Sequence, residues 1–375
     1  MNPNNNLKYY PLNEIANAKI HGRTDLSQQP LPLFWNGSAI EINATGTELW
    51  IEVEVDFDFH EPWVAYQIDG AFIGRQMLMP GKHKLCLFRN MFPDNAKNLR
   101  FYRELQAMSE DINCHILIHG FYSDGEFLPV KDRPFKIEFI GDSITSGEGT
   151  YGPEGTHPWV PMFMSASRNY AAMTADALNA EYRLLSQGGW GIYCGWDNDI
   201  RHALPAYYEE ICSLGLGEAR KALGGGAAHD FNSWQPDIVV INLGTNDNSA
   251  FNQPAWVDPE TGISYKQRKN EDGSFHPEDA VKFEDAGIAF LQTVRKHNPN
   301  AVIVWVYGML GYDLTPHITN TVNRFRIQTG DTKTYFLHLP NTTSETIGCN
   351  FHPGLKSHEK AAAVLTEYLG QFLYN

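Results

Sequence analysis

The sequence has little cysteine, no excess of basic residues and no long apolar run. Its five cysteines are scattered, odd in number and without Cys-x-x-Cys spacing, so we expect reduced thiols. No stretch approaches the roughly 18 consecutive apolar residues of a membrane-spanning helix. Acids outnumber bases by 44 to 29, which gives a formal net charge of −15. Such a charge disfavours nucleic acids and anionic membrane surfaces as partners.

The N-terminal stretch, MNPNNNLKYYPLN, lacks the apolar core of a secretory signal. We therefore expect a cytoplasmic protein. The histidines and cysteines show no metal-ligand spacing such as His-Glu-x-x-His, so neither a metal nor another cofactor is predicted. The sequence leaves the oligomeric state open.

Two halves of the chain differ in the period of their apolar residues. In residues 35–130 apolar and polar residues alternate in short segments, most clearly over 51–59, and a period of two predicts strands with one buried face. Several such segments predict a β-sandwich, while 95–110 fits a strand or a helix and stays open. From 133 onwards strands alternate with helical patterns, which predicts an α/β domain with a mostly parallel, doubly wound sheet. We assign 1–132 to the sandwich and 133–375 to the α/β domain.

Four blocks of the second half carry residues suited to chemistry. Ser143, in FIGDSITSGEG, follows a buried strand, and a serine on such a turn can serve as a nucleophile. Gly189, in SQGGWGI, and Asn246, in NLGTNDNS, follow two other strands and could donate hydrogen bonds to an oxyanion. His352, in GCNFHPG, precedes the last helical pattern. Taken singly, each block also fits an ordinary turn, helix cap or structural histidine.

Taken together and in this order, the four blocks resemble the SGNH hydrolases, the GDSL-type esterases, over about 133–375. The resemblance implies a three-layer α/β/α domain, with Ser143 as nucleophile and His352 as base. It further implies an oxyanion hole made by the backbone N–H groups of Ser143 and Gly189 and by the amide of Asn246.

A β domain leading directly into KIEFIGDSIT is similar to that of carbohydrate esterase family 2, whose members remove acetyl groups from plant polysaccharides. Shared features include the IDG pattern at Asp69 and Gly70, the VYGML strand and Cys349 three residues before His352. The resemblance implies a jelly-roll-like sandwich, whereas 204–236 and 250–276 depart from the family. The function it implies is removal of acetyl groups from xylo- or manno-oligosaccharides through an acetyl-serine.

The acid that commonly orients the histidine of such enzymes is missing. Many members of the superfamily have Asp three residues before the histidine, and family 2 esterases often have it two before; here these positions are Cys349 and Asn350. We therefore predict a Ser143–His352 dyad whose base is oriented by Asn350, through its backbone or its side-chain carbonyl. A remote carboxylate such as Asp197 or Asp199 stays an alternative.

Aromatic and acidic residues near these blocks are candidates for binding the sugar. Trp190 and Trp196 lie in Gly-rich sequence and could stack on the apolar face of a sugar ring, and Asp247 follows Asn246. Two other functions stay open: a lysophospholipase or thioesterase of the same superfamily, and a carbohydrate-binding protein without catalysis. A nucleotide-binding sheet is disfavoured because the Ser143 block lacks the lysine of a phosphate loop.

Overall fold

The computed structural model describes residues 7–374. We base the expected cytoplasmic location on residues 1–13. Residues 1–6 of that stretch lie outside the described residues. No helix among the described residues is long and apolar enough to cross a membrane.

The chain folds as two compact units. The first contains the described part of Met1–Arg133 together with Trp159–Met162 and Glu210–His229, and the second contains Pro134–Pro158, Phe163–Glu209 and the described part of Asp230–Asn375. Two short segments of the predicted second domain, 159–162 and 210–229, thus fall in the first unit.

The first unit contains the predicted all-β sandwich. Its strands are β1 (Lys8–Pro11), β2 (Lys19–His21), β3 (Leu31–Pro32), β4 (Ala39–Ala44), β5 (Leu49–Asp56), β6 (Trp63–Ile68), β7 (Ala71–Met77), β8 (Gly81–Phe88), β9 (Lys97–Arg103), β10 (His115–Ser123) and β11 (Phe127–Leu128). They form two antiparallel sheets with the orders β1-β10-β5-β8 and β11-β4-β9-β6-β7, in which β3 pairs with β10 and β2 pairs with β4. One core cluster joins both sheets, with Ile51 and Val53 from β5 and Leu99 and Phe101 from β9. The jelly-roll-like character of this sandwich stays a prediction.

Two sequence expectations in this unit are now decided by the structure. The open segment 95–110 contains β9, a strand, rather than a helix. The strand expected over 51–59 ends at Asp56, and Phe59 beyond it is 72% exposed. The chain leaves the sheet here because the buried carboxylate of Asp111 accepts hydrogen bonds from the backbone N–H groups of Phe59 and His60 at 2.7 and 2.9 Å.

The second unit is the predicted α/β domain. Its sheet strands are β12 (Phe135–Gly141), β13 (Ala180–Ser186), β14 (Ile238–Asn242), β17 (Val302–Gly308) and β18 (Thr334–Leu339), and β15 (Trp256–Val257) pairs with β16 (Ser264–Tyr265). The helices of the chain are α1 (Ser143–Ser146), α2 (Tyr170–Ala177), α3 (Glu218–Ala222, in the first unit), α4 (Thr245–Ala250), α5 (Pro277–His297), α6 (Thr315–Thr329) and α7 (Leu355–Leu373). The five sheet strands are all parallel, in the order β13-β12-β14-β17-β18.

Helices cover both faces of this sheet. Alternate residues of a strand point to opposite faces, and in β17 the buried Val304 belongs to the core beneath α2 and α7, while Trp305 contacts Phe283 of α5. Helix α6 packs beside α5. The three layers bring the carboxyl ends of β13, β12 and β14, which are neighbours, to one edge of the sheet, where ligands bind in such folds.

Candidate active site

Ser143 is the first residue of α1, directly after β12. The carboxylate of Asp142 caps this helix by accepting a hydrogen bond from Ile144 N–H at 2.9 Å. Gly147 then ends the helix in the left-handed conformation, with φ of +79°. This tight strand-to-helix turn fixes the Ser143 hydroxyl at the edge of the sheet, and the Ser143 N–H belongs to the first turn, whose N–H groups have no acceptor within the helix.

His352 lies beside Ser143 although 209 residues separate them. The two side chains are joined by a hydrogen bond of 2.9 Å between His352 Nε2 and Ser143 Oγ. Gly149 allows this approach, because a Cβ there would stand 2.7 Å from the Cβ of His352. The pair predicted from the sequence is therefore together in space, in the geometry that a nucleophile and its general base require.

The other ring nitrogen of His352 is bound by the protein backbone. Its Nδ1 lies 2.9 Å from the carbonyl oxygen of Asn350. The side-chain oxygen of Asn350 is engaged elsewhere, since it accepts a hydrogen bond from His157 N–H at 2.7 Å. Asn350 and Phe351 both have positive φ, of +51° and +60°, and this turn directs the Asn350 carbonyl at the ring. Of the two acceptors that the sequence left open, the geometry provides the backbone carbonyl.

The remote carboxylates considered from the sequence do not face His352. The buried Asp199 pairs with Arg201, with 2.7 Å between Oδ2 and Nη2, and Asp197 Oδ1 accepts a hydrogen bond from Asp199 N–H at 3.2 Å. The carboxylate that does lie near the base is Glu148, with its Oε1 3.6 Å from His352 Nδ1. Sequence reasoning missed it, although Glu148 stands five residues after Ser143 in the same block.

Asn246 and Gly189 lie at the ends of the two strands that flank β12. Asn246 Nδ2 donates to the carbonyl of Trp190 at 2.8 Å and makes a longer contact of 3.3 Å with Asp142 Oδ2. Gly189 has φ of +80°, which favours glycine. Asn246 is thus held beside the Trp190–Gly191 peptide, next to Gly189, and beside the turn that carries Ser143, so the three predicted oxyanion donors lie on neighbouring segments.

Two of the three residues predicted to bind substrate have structural positions instead. The Trp190 ring is buried and stacks on His202, with ring centroids 5.0 Å apart. Asp247 is buried, and its carboxylate accepts hydrogen bonds from the N–H groups of Ile192, Tyr193 and Cys194 at 2.9, 2.8 and 3.2 Å. These placements correct the prediction, because neither side chain is open to a sugar; both hold the loop that follows β13.

Trp196, the third of these residues, is open to solvent. The residue is 48% exposed, and its backbone N–H donates to the carbonyl of Gly189 at 3.0 Å. A Cβ at Gly189 would stand 3.2 Å from Cδ1 of the Trp196 ring. An exposed indole therefore lies next to the predicted oxyanion hole.

Burial changes the acidity of the carboxyl groups beneath the site. Burial raises the pKa of Asp142 to about 7. The hydrogen bond from Ile144 N–H opposes this shift, and the charges of Asp247 and Glu148 add to it. Burial likewise raises the pKa of Asp247 to about 6, against the three backbone N–H groups that lower it.

Among the residues that the structure describes, no group of three or more His, Cys, Asp or Glu side chains is arranged to hold a metal ion.

Comparison with known proteins tests the family resemblance that the sequence predicts. The sequence profile of the GDSL-like Lipase/Acylhydrolase family matches residues 139–335. A cellulase/esterase of Acetivibrio thermocellus is 27% identical over 355 residues, which are 92% of this chain and 38% of that protein. An acetylxylan esterase / glucomannan deacetylase of Cellvibrio japonicus is 27% identical over 343 residues, 89% of this chain and 79% of that protein. The chain thus spans well under half of the length of the first relative. Both relatives are named as esterases or deacetylases, which are carboxylic ester hydrolases.

Solved structures extend the match to both units. An acetyl xylan esterase from the rumen bacterium Butyrivibrio proteoclasticus is 53% identical, with a TM-score of 0.96 and 98% of each chain covered. A family two carbohydrate esterase from Clostridium thermocellum, in complex with cellohexaose, is 26% identical, with a TM-score of 0.76, and the match covers 95% of this chain and 99% of that one. The predicted resemblance is confirmed: the chain is similar over both units to a solved family two carbohydrate esterase, and it belongs to the GDSL-like lipase/acylhydrolase family.

Proposed function

We propose that the protein is a serine esterase that removes acetyl groups from acetylated xylo- or manno-oligosaccharides through an acetyl-serine intermediate. The observation that carries this proposal is the 2.9 Å hydrogen bond from Ser143 Oγ to His352 Nε2, with Nδ1 on the Asn350 carbonyl. The names of the acetylxylan esterase relatives support acetylated sugars as substrates. A nucleophile, a base and fixed donors for an oxyanion together serve acyl transfer.

In the first half of the reaction, Ser143 Oγ attacks the carbonyl carbon of the acetyl ester, and its proton moves to His352 Nε2. The carbonyl electron pair moves onto the oxygen, where the N–H groups of Ser143 and Gly189 and the amide of Asn246 stabilise the negative charge. One such donor contributes on the order of 10²–10³ in rate. As the tetrahedral intermediate collapses, the bond to the sugar oxygen breaks and Nε2–H protonates that oxygen.

In the second half, water attacks the acetyl-serine and loses a proton to His352 Nε2. Collapse of the second intermediate releases acetic acid and returns the proton to Ser143 Oγ. Throughout the cycle Nδ1–H donates to the Asn350 carbonyl, which keeps the ring in the tautomer whose Nε2 is free to accept a proton. In serine proteases the wrong tautomer costs about 10⁴ in rate.

Trp196 is the residue that we assign to sugar binding. Its exposed indole, beside Gly189, offers an apolar face to the C–H groups of a sugar ring. The site that we propose therefore combines the Ser143–His352 pair with a stacking surface for the sugar.

The test is product analysis on defined acetylated xylo- and manno-oligosaccharides, with Ser143→Ala as the control. We expect release of acetate by the wild type and no release by the variant. A preference for nitrophenyl esters with long acyl chains would instead identify a lipase or thioesterase of the same superfamily. Failure to hydrolyse nitrophenyl acetate, together with failure of Ser143 to react with a fluorophosphonate, would identify a binding protein without catalysis.

A further inference from the structure

A buried carboxylate outside the predicted site faces the catalytic base. Glu148 follows the left-handed Gly147, and its N–H donates to the carbonyl of Ser143 at 3.0 Å. This turn points its side chain at His352, where Oε1 lies 3.6 Å from Nδ1. Only 9% of Glu148 is exposed. Its backbone and side chain thus contact both partners of the dyad.

Two oxygens share the Nδ1 side of the His352 ring, and they act differently. The Asn350 carbonyl, at 2.9 Å, has hydrogen-bond geometry. The Glu148 carboxylate, at 3.6 Å, is beyond the usual range of an N–H···O hydrogen bond, so it acts on the ring through its charge. The carbonyl accepts the Nδ1 proton, whereas the carboxyl group of Glu148 lies beside the same atom without a hydrogen bond to it.

The charge of Glu148 has one cationic partner in its surroundings. No lysine or arginine within residues 7–374 forms an ion pair with its carboxylate, and His352 does so when protonated. A buried charge is costly unless it is paired. The site is therefore arranged so that protonation of His352 relieves the isolation of Glu148.

The other titratable groups around this pair do not replace Glu148. Asp142, on the Ser143 turn, has a pKa that is raised to about 7 by burial, with a contribution from the charge of Glu148. Burial and the charge of Glu148 also raise the pKa of the Cys349 thiol. His358, on α7, has its pKa lowered to about 3 by burial and by His352. The groups on the neighbouring elements thus favour their neutral forms, and the carboxyl group that lies beside Nδ1 is that of Glu148, at 3.6 Å.

We propose that Glu148 is a positioning residue that stabilises the imidazolium form of His352 during acyl transfer, in place of the acid missing at positions 349 and 350. When Ser143 Oγ attacks the ester, its proton moves to Nε2 and the ring gains one positive charge. The Nδ1 proton stays on Nδ1, and no proton passes to Glu148. This inference rests on the proposed esterase function.

The test compares the pH profile of kcat/KM for nitrophenyl acetate in the wild type, Glu148→Gln, Glu148→Ala and Glu148→Asp. Only the neutral ring accepts the proton from Ser143, so activity falls as His352 becomes protonated at low pH. In both neutral variants we expect the midpoint of this acidic limb to move to lower pH by about one unit or more and the plateau to fall about tenfold. Glu148→Asp should keep most of the wild-type midpoint. If Glu148→Gln fails to fold, Glu148→Ala takes its place.

Glu154→Gln is the matched control, since it removes the same charge at an exposed position of the following loop. We expect its profile to overlay that of the wild type. A merely structural role of Glu148 lowers the plateau without moving the limb, and that result would overturn the proposal. An equal shift of the midpoint in Glu154→Gln would overturn it too, because the shift would then come from the net charge of the protein and not from the position of Glu148.

Titration of the His352 ring by proton NMR separates this proposal from the esterase function. The His352 signal is assigned by its absence from the spectrum of His352→Gln, and its midpoint needs no turnover. An inactive wild type would sink the esterase function, while the ring titration still tests Glu148. Equal NMR midpoints in the wild type and the neutral variants would contradict the role of Glu148.

Discussion

At the scale of single residues, the ring of His352, the proposed base, is held by a backbone atom. The positions where related enzymes have an acid hold Cys349 and Asn350, and Asn350 uses its side chain to accept from His157 N–H. What Asn350 supplies to His352 is its carbonyl, presented by a backbone with φ of +51°. Asparagine tolerates this conformation better than most residues. The residue type at position 350 therefore stabilises the backbone conformation of the turn.

The substitution Asn350→Gly tests this interpretation. Glycine keeps the carbonyl and adopts positive φ without strain, and it loses only the bond to His157. We expect kcat/KM for nitrophenyl acetate within about fivefold of the wild type, and a loss in the free energy of unfolding of about 1 kcal/mol.

Asn350→Ala is the companion variant, because it removes the same side-chain bond but strains the turn. It should be less stable than Asn350→Gly by about 1 kcal/mol, as measured by urea unfolding. A fall in activity of several orders of magnitude in Asn350→Gly would show that the side chain, not the carbonyl, orients the base.

The order of the four blocks and their resemblance to the SGNH hydrolases predicted the Ser143–His352 pair and the Asn350 carbonyl, but not Glu148. Ser143, Gly189 and Asn246 each follow a buried strand, and parallel strands bring such positions to one edge. By contrast, Glu148 and His352 are 204 positions apart, and nothing in the composition of either block indicates that their side chains meet. Trp190 and Asp247 were assigned to the substrate because loop-like sequence does not reveal burial; the hydrogen bonds and ring stacking that bury them depend on the folded loop.

At the scale of elements, the loop that carries Trp196 is bound to the segment after α4. Asn198, which is buried, donates through Nδ2 to the carbonyls of Ala250 and Pro254 at 2.9 and 3.0 Å and accepts from Gln267 N–H at 2.7 Å. The segment 250–276, where the chain departs from the family pattern, is therefore connected through the Asn198 side chain to the loop that carries the proposed sugar-binding residue.

Removal of the Asn198 side chain should weaken sugar binding more than chemistry. Asn198 has φ of +71°, so Asn198→Gly removes the three hydrogen bonds without adding backbone strain. We expect KM for an acetylated xylo-oligosaccharide to rise about tenfold, the equivalent of about 1.4 kcal/mol, and kcat for nitrophenyl acetate to change little. Steady-state kinetics on the two substrates measure this difference.

Trp196→Ala provides the comparison for that experiment. It removes the proposed stacking surface directly, so its pattern on the two substrates should match that of Asn198→Gly. A change confined to Asn198→Gly would show that the loop serves something other than the position of Trp196.

At the scale of the whole molecule, the change in hydrophobic period predicted two units of different class, because a period of two and alternating strand and helix patterns bury different faces. The sequence did not predict that 159–162 and 210–229 belong to the first unit and not to the α/β domain. Membership of these segments depends on contacts between residues that are distant in sequence. Neither α6 nor β18 was expected, since α6 is rich in polar residues and β18 is only partly buried.

The buried acids beneath the site make the stability of the protein depend on pH. The pKa of Asp142 is about 7 in the folded protein, raised by burial, and about 4 in an unfolded chain. Between these values the folded state keeps a proton that the unfolded state releases, so the stabilisation is complete below about pH 4 and is lost as the pH rises through about 7. The buried Asp247, raised to about 6, acts in the same direction.

Asp142→Asn isolates this contribution, because an amide oxygen can still accept from Ile144 N–H but does not ionise. We expect the free energy of unfolding of the variant, relative to the wild type, to increase from about pH 4 to about pH 7 and then level off. Urea unfolding at several pH values measures it. The exposed Glu359→Gln on α7 should stay parallel to the wild type, since it removes a solvated charge. A constant difference between Asp142→Asn and the wild type would mean that Asp142 is already ionised in the fold, and that its bond with Ile144 outweighs its burial.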